Sequence, residues 1–152
     1  MTVTIRLEGS EELQKFLKGM SKDIAAEVGK AVVATALELR GDVVKSIQQG
    51  PASGRVYKKY NPRRTHQASA PGQPPMSDTG RLANSITFDK LGDLTATVGS
   101  NLVYAPWLEY GTAKMNFAGG VGGPRPFFRP AVERIRPKYI EYMEAAIERA
   151  TR

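Results

Sequence analysis

The sequence contains no cysteine, and His66 is its only histidine among 152 residues. Without cysteine the chain can form neither a disulfide nor a thiolate zinc site, and one histidine cannot supply a histidine cluster. Its longest apolar run is far shorter than the roughly 20 residues that a membrane-spanning helix needs. We therefore expect a protein with no metal site, no cofactor and no membrane partner.

Catalytic residues are also missing from the sequence pattern. A serine or threonine nucleophile needs a base, and we expect His66 to be solvated within a basic, Pro-rich stretch. The triplet Asp78-Thr79-Gly80 occurs in aspartic proteases, where two such loops follow apolar strands and share a proton. Here it follows prolines and precedes Arg81 and Leu82, so we interpret Asp78 as a helix cap. The sequence predicts no catalytic residue and no enzyme.

Acidic residues are scarce in two segments of the chain. The whole chain has 15 acidic and 22 basic residues, which gives a net charge of +7. Residues Pro51–Arg81 contain six basic residues and one acidic residue, and Pro124–Lys138 contain five and one. Both segments are rich in proline. Such segments bind nucleic acid or acidic protein surfaces, or they only keep the surface soluble.

Apolar residues recur every three or four positions along Lys22–Gln49, which predicts one long helix. Gly29 and Gly41 lie within this predicted helix, where glycine is unfavourable, and we interpret both as points of close packing. A second stripe runs from Pro130 to the end of the chain and predicts a C-terminal helix. Because Pro137 lies inside that stripe, we expect a kink or break just before it.

Alternating apolar and polar residues predict strands at Val3–Leu7, Ile86–Lys90 and Thr95–Asn101, and the last two form a hairpin around a short turn. The expected fold class is therefore α+β. A long N-terminal helix and a C-terminal helix pack on a small, mainly antiparallel sheet within one domain spanning residues 1–152.

Shorter elements complete this interpretation. A short helix is expected from Glu11, capped by Ser10, and one or two helical turns at Thr79–Ser85. The apolar cluster at residues 102–111 predicts another short helix, with Trp107 and Tyr110 in the core. The Gly-rich stretch at residues 116–123 predicts a flexible loop.

The segment Pro51–Ser77 shows no periodicity of apolar residues, and it is longer than the structureless loops usually found within a compact domain. We therefore predict a flexible basic arm at about residues 51–77 that becomes ordered on a partner. Its basic residues, interleaved with two tyrosines, could contact phosphates and bases. A stand-alone nucleic-acid-binding protein is thus an alternative function. The expected contacts with a partner or a DNA channel are Arg55, Lys58, Lys59, Arg63 and Arg64.

Three motifs occur in a fixed order: "SAPGQPPMSDTGRLANSI", "VGSNLVYAPWLEYGT" and "RPFFRPA". Together they resemble the small tail-component or neck family of long-tailed double-stranded DNA phages and their prophages. The resemblance extends from about Lys22 to Ile147. The Gly-rich insert at Phe117–Gly123 departs from the family pattern.

The resemblance implies a structural protein of the head–tail connection or of tail completion, without catalysis. It implies a ring-like homo-oligomer such as a hexamer around the DNA channel, located in the virion at the head–tail junction or tail end, and in the host cytoplasm during assembly. The implied partners are the protein itself and other connector or tail tube proteins, with nonspecific contact with passing DNA as a further option. A neck role and a tail-terminator role both fit.

An assembly interface is expected in two places, the extended arm and the start of the last helix. For the two phenylalanines, packing into the core is an equally good interpretation. The residues expected at this interface are Pro71, Pro74, Pro75, Phe127, Phe128 and Arg129.

Overall fold

The computed structural model describes residues 3–8, 22–112 and 123–152. Within these ranges the chain forms five strands and four helices, and its α+β class agrees with the sequence prediction. In chain order the elements are β1 (Val3–Glu8), α1 (Lys22–Gln48), β2 (Val56–Tyr60), β3 (Arg63–Gln67), α2 (Arg81–Asn84), β4 (Ile86–Gly92), β5 (Thr95–Ser100), α3 (Ala105–Tyr110) and α4 (Arg129–Ala150).

A three-stranded antiparallel sheet with the order β1-β5-β4 forms one layer of the fold. The predicted hairpin is confirmed, because β4 pairs with β5 in a register that sets Phe88 opposite Val98. β1 pairs with the other edge of β5 and sets Ile5 opposite the same Val98. The central strand is more buried than β4, as its composition of small and β-branched residues favours.

The predicted long helix α1 packs across this sheet. Its apolar stripe faces the strands, while Gly29 lies so close to the β4–β5 turn that an added Cβ would be 2.6 Å from the carbonyl oxygen of Asp93. Close packing is thus confirmed at Gly29 and wrong at Gly41, where a Cβ would meet nothing within 4 Å. The core between α1 and the sheet includes Val32, Ala36, Leu39, Val43, Ile47, Ile86, Ala96 and Val98.

Helix α4 lies antiparallel to α1 and packs mainly against it. Polar contacts fasten the two helices along their length: Arg134 donates to Asp42 at 2.6 Å, Lys138 pairs with Glu38, and Arg149 lies 3.3 Å from Glu27. The hydrogen bonds from Lys138 and Tyr142 hold the pKa of the Glu38 carboxyl below its usual value.

Of the kink or break expected near Pro137, the break is wrong, because α4 continues through this residue. The kink stays a prediction. Proline removes one backbone hydrogen bond and typically costs a helix interior about 3 kcal/mol. Here Ile135 is buried just before it, and ion pairs to α1 lie on both sides. The packing between the two long helices compensates for the missing hydrogen bond.

The basic Pro-rich segment is not the structureless loop that the sequence predicts. It contains β2 and β3, which pair with each other as a two-stranded antiparallel sheet. Two further hydrogen bonds extend this ladder, from Gly54 N–H to the Ala68 carbonyl at 2.7 Å and from Ala68 N–H to the Arg55 carbonyl at 3.0 Å. We call β2 and β3 together the basic hairpin. The order in which a protease attacks this segment and α1 stays a prediction.

Two of the shorter predicted helices are present as α2 and α3, but their details differ from the prediction. Gly80, in the left-handed conformation with φ of 75°, is the N-cap residue of α2 and offers no side chain for a capping hydrogen bond. Trp107 and Tyr110 are exposed rather than in the core, because six-residue α3 buries its opposite face. The helix expected from Glu11 and the Gly-rich loop at 116–122 lie outside the described residues.

Candidate functional site

The basic hairpin has two chemically different faces, because side chains alternate along each strand. Tyr57, Lys59, Arg64 and His66 point towards the body of the protein, in the cross-strand pairs Tyr57–His66 and Lys59–Arg64. The opposite face is exposed throughout. We call it the outer face, and its members are Val56, Lys58, Tyr60, Arg63, Thr65 and Gln67.

A single carboxylate, that of Asp78, fastens the inner face of the hairpin. Lys59 pairs with one of its oxygens, and Arg64 Nη1 lies 2.6 Å from the other. His66 Nδ1 is 3.6 Å from the carboxylate. The predicted capping role of Asp78 is therefore wrong: its charge is used by the hairpin, and the first N–H of α2 is bonded by Thr79 Oγ1 at 3.4 Å instead. Sequence could not show this, because the partners come from 12 to 19 positions away.

His66 is not the solvated residue that the sequence suggests, since its side chain is only 16% exposed. Burial lowers the pKa of the imidazole, and the neighbouring charges of Lys59 and Arg64 lower the pKa further. The imidazole is therefore neutral at pH 7, which avoids a third positive charge beside Asp78.

The five basic residues predicted to contact a partner thus divide into separate groups. Lys59 and Arg64 are engaged by Asp78. Lys58 and Arg63 lie on the outer face and form no ion pair with any residue in the described ranges. Arg55 holds its guanidinium 5.6 Å from the centre of the Tyr57 ring. Among the described residues no carboxylate pairs with Lys58, Arg63 or Arg55, so these three keep their charge available to a partner.

Two exposed apolar side chains accompany the free cations on the outer face. Val56 is more than half exposed, and Tyr60 is 80% exposed. A two-stranded hairpin is marginally stable on its own, and this one shares no residue with the buried core. Its outer face has the composition of a binding surface, with apolar anchors between cations.

A cleft of about 340 Å³ separates the inner face from the body. Tyr57, Asp78, Leu108 and Arg125 are among the residues that line it. Arg125 Nε donates to the carbonyl of Ser69 at 3.2 Å and ties the chain after β3 to the start of the last segment. The hairpin is therefore held by polar contacts at its edges rather than by close apolar packing.

The residues expected at an assembly interface are not all accessible. Pro71 is exposed, Pro74 is half-buried and Pro75 is buried. Phe127 and Phe128 are fully buried with ring centroids 5.0 Å apart, so the structure places them in the core of the protomer. Arg129 is exposed and holds its guanidinium 5.8 Å from the centre of the Tyr110 ring.

Glu109 is the residue that sequence reasoning missed. Its side chain is 2% exposed, and its carboxylate accepts the backbone N–H groups of Phe127, Phe128 and Arg129 at 2.8, 2.9 and 3.0 Å. These are unpaired donors at the start of α4, so a side chain from α3 caps a helix about twenty positions away. The one sequence signal is an acidic residue inside the apolar run "YAPWLEYG".

Metal chemistry has no evident location in the part of the chain that the structure describes. No group of three or more histidine, aspartate or glutamate side chains converges there. Among the helices within the same ranges, none has an apolar stretch long enough to cross a bilayer.

Comparison with known proteins assigns the chain to a family. The family model described as "Bacteriophage HK97-gp10, putative tail-component" matches residues 11–111, a range that contains α1, the basic hairpin, Asp78 and α3. No curated protein and no solved structure matches the chain. The chain belongs to the HK97-gp10-like family of bacteriophage tail components.

Proposed function

We propose that this tail component acts at the head–tail connection or completes the tail, by assembling with copies of itself around the DNA channel. It has a structural role and no catalytic one. Connector and tail tube proteins are its further partners, and it is located at the head–tail junction or at the tail end. Family membership supports the phage tail assignment.

The observation that carries the proposal is the unburied outer face of the basic hairpin. A free protomer exposes Val56 and Tyr60 beside two cations. A protein that works alone gains nothing from such a surface, whereas an assembling protein needs one that stays open until a partner arrives. The outer face is therefore the part of the hairpin that contacts the assembly.

The test separates the two faces in an infected or induced host. Lys58→Ser/Arg63→Ser removes the free cations, while Lys59→Ser/Arg64→Ser removes the pair engaged by Asp78. We expect the outer-face variant to fold normally and to accumulate filled heads and separate tails. Normal yields of infectious particles from this variant would reject the role of the outer face. Lys22→Ser/Lys90→Ser, on exposed lysines elsewhere, is the matched control.

Electron microscopy of the same lysates distinguishes the two structural roles. A neck protein is needed only for joining, so its loss leaves separate tails of normal length. A tail terminator stops growth of the tube, so its loss produces tails of irregular or excessive length. Either outcome identifies the position of the protein in the virion.

Solution mass tests the proposed oligomer directly. The protomer is 16.6 kDa, so a six-membered ring has a mass of about 100 kDa. Sedimentation equilibrium over a range of concentrations measures this mass. A protein that remains a protomer at all concentrations, alone and with tail tubes, contradicts the ring.

Stand-alone nucleic-acid binding is a second candidate function, and Tyr60 is the observation that favours it. Its ring stands between Lys58 and Arg63 on the outer face, where it could stack on a base. Two neutralised phosphates predict a slope of about −1.8 for log affinity against log salt. Sub-micromolar, salt-sensitive binding of DNA by an isolated protomer would favour this function over assembly.

A further inference from the structure

The outer surface of α4 has an exposed patch that the fold does not explain. Ile140 is 53% exposed, and Ile147 is also exposed, although isoleucine is among the residues most often buried. Glu144 lies beside both of them, four residues after Ile140 and three before Ile147, and Glu141 lies next to Glu144, three residues before it, at the edge of this face. We call Ile140, Glu141, Glu144 and Ile147 the acidic face.

The two carboxylates of the acidic face have no oppositely charged partner within the described part of the chain. Neither Glu141 nor Glu144 forms an ion pair with any residue that the structure describes. The arginines that follow them are engaged elsewhere, since Arg149 pairs with Glu27 and Arg152 pairs with Glu148. Two carboxylates without an ion pair to any described residue therefore accompany the two exposed isoleucines, Glu144 between them and Glu141 at the edge.

This patch complements the outer face of the basic hairpin. One surface offers two unpaired cations beside Val56 and Tyr60, and the other offers two unpaired carboxylates beside two isoleucines. Their dimensions are comparable, with a difference of about 3 Å. Val56 and Tyr60 are about 13 Å apart along an extended strand, and Ile140 and Ile147 are about 10 Å apart along a helix.

We propose that the outer face of the basic hairpin in one copy binds the acidic face of α4 in a second copy. This inference rests on the proposed function, and it names the partner of the hairpin. Val56 and Tyr60 pack against the isoleucines, while Lys58 and Arg63 pair with Glu141 and Glu144. The two surfaces differ, so the contact is head-to-tail, and repetition of such a contact closes a ring when the rotation allows it.

A second copy explains more of the surface than DNA does. DNA would account for Lys58, Arg63 and Tyr60, but it would leave Glu141 and Glu144 without a partner. It would also leave the exposed isoleucines without a partner. A second copy satisfies both charged pairs and covers the apolar side chains of both surfaces.

Charge reversal in two separate proteins tests the contact. The first variant, Lys58→Glu/Arg63→Glu, carries acidic hairpin and acidic helix surfaces, and the second, Glu141→Lys/Glu144→Lys, carries basic ones. We expect each alone to lose self-association by about tenfold or more, because like charges meet at every contact. An equimolar mixture pairs opposite charges at every contact, so assembly should return, as alternating rings, to near the unchanged protein's level.

Lys22→Glu/Lys90→Glu alters the net charge as the first variant does, and it should assemble normally. Sedimentation velocity measures assembly, and circular dichroism shows that each variant is folded. Self-association that survives both reversals, or a mixture that stays dissociated, overturns this contact but leaves the proposed ring intact. Loss of DNA binding by the first variant, with unchanged self-association, also overturns it. Absence of assembly by the unchanged protein, alone and with tail tubes, overturns the ring and the contact together.

Discussion

Replacement of Glu109 by glutamine tests whether a buried carboxylate organises the second half of the core. The side chain is 2% exposed, and its two oxygens accept three backbone N–H groups at the start of α4. Glutamine has nearly the same shape, so the substitution opens no cavity. It removes the negative charge, and it replaces one accepting oxygen with an amide that can only donate.

The expected cost follows from these two changes. At least one buried N–H then faces the amide without an acceptor, which costs about 1–3 kcal/mol. Loss of a negative charge at a helix N-terminus costs a further 0.3–2 kcal/mol or so. We therefore expect Glu109→Gln to lower the free energy of unfolding by about 2–4 kcal/mol, which for a chain of this length lowers Tm by about 5–15 °C.

Urea denaturation at low protein concentration measures this effect, with circular dichroism following α1 and α4. Glu133→Gln is the matched control, because Glu133 lies in the second turn of α4 but is exposed and pairs only with Arg136 among the described residues. Its expected effect is within about 0.5 kcal/mol. Equal, small effects of the two substitutions would refute the view that Glu109 caps α4.

Three further predictions concern the hairpin and the long helix. Gly41→Ala should raise the free energy of unfolding by up to ~1 kcal/mol, because alanine favours a helix and nothing obstructs its Cβ. Gly29→Ala should lower the free energy of unfolding, because its Cβ would be forced against the Asp93 carbonyl. Urea denaturation measures both effects. Asp78→Asn should speed tryptic cleavage within the basic hairpin while changing Tm little, since the hairpin shares no core residue; unchanged cleavage would contradict this. The imidazole of His66 should titrate below pH 6.5 by NMR. The unfolded hairpin then binds the proton more tightly, so its docking should be constant above about pH 6.5 and weaken as pH falls below it.

The helices and the main sheet could be predicted because their periodicity comes from one buried face. The stripe along α1 and the alternation in β4 and β5 both record which side meets the core. The two strands of the basic hairpin have no such pattern of apolar residues, since neither face of the hairpin is apolar. The cations of their inner face pair with Asp78. The sequence does not show that this one distant carboxylate contacts Lys59 and Arg64.

The region around α3 shows a different limit of sequence reasoning. Hydrophobicity placed Trp107 and Tyr110 inside and gave Glu109 no role, whereas the structure exposes the aromatic residues and buries the acid. The reason is the start of α4, whose N–H groups need an acceptor in a place that water does not reach. A buried acid next to exposed aromatic residues becomes reasonable only when that distant helix end is known.

Under the proposed function, the position of Asp78 would make the surrounding positive charge useful for assembly. The acid neutralises the inner cations Lys59 and Arg64, so these hold the hairpin in one orientation instead of repelling each other. That orientation presents Lys58 and Arg63 together on the opposite side, at fixed positions along the paired strands. A mobile arm would lose conformational entropy when it binds, but a fastened hairpin has already lost much of it. The basic segment thus has one face that fixes its geometry and another whose cations pair with no described residue, and the proposed contact with an acidic neighbour would use that second face.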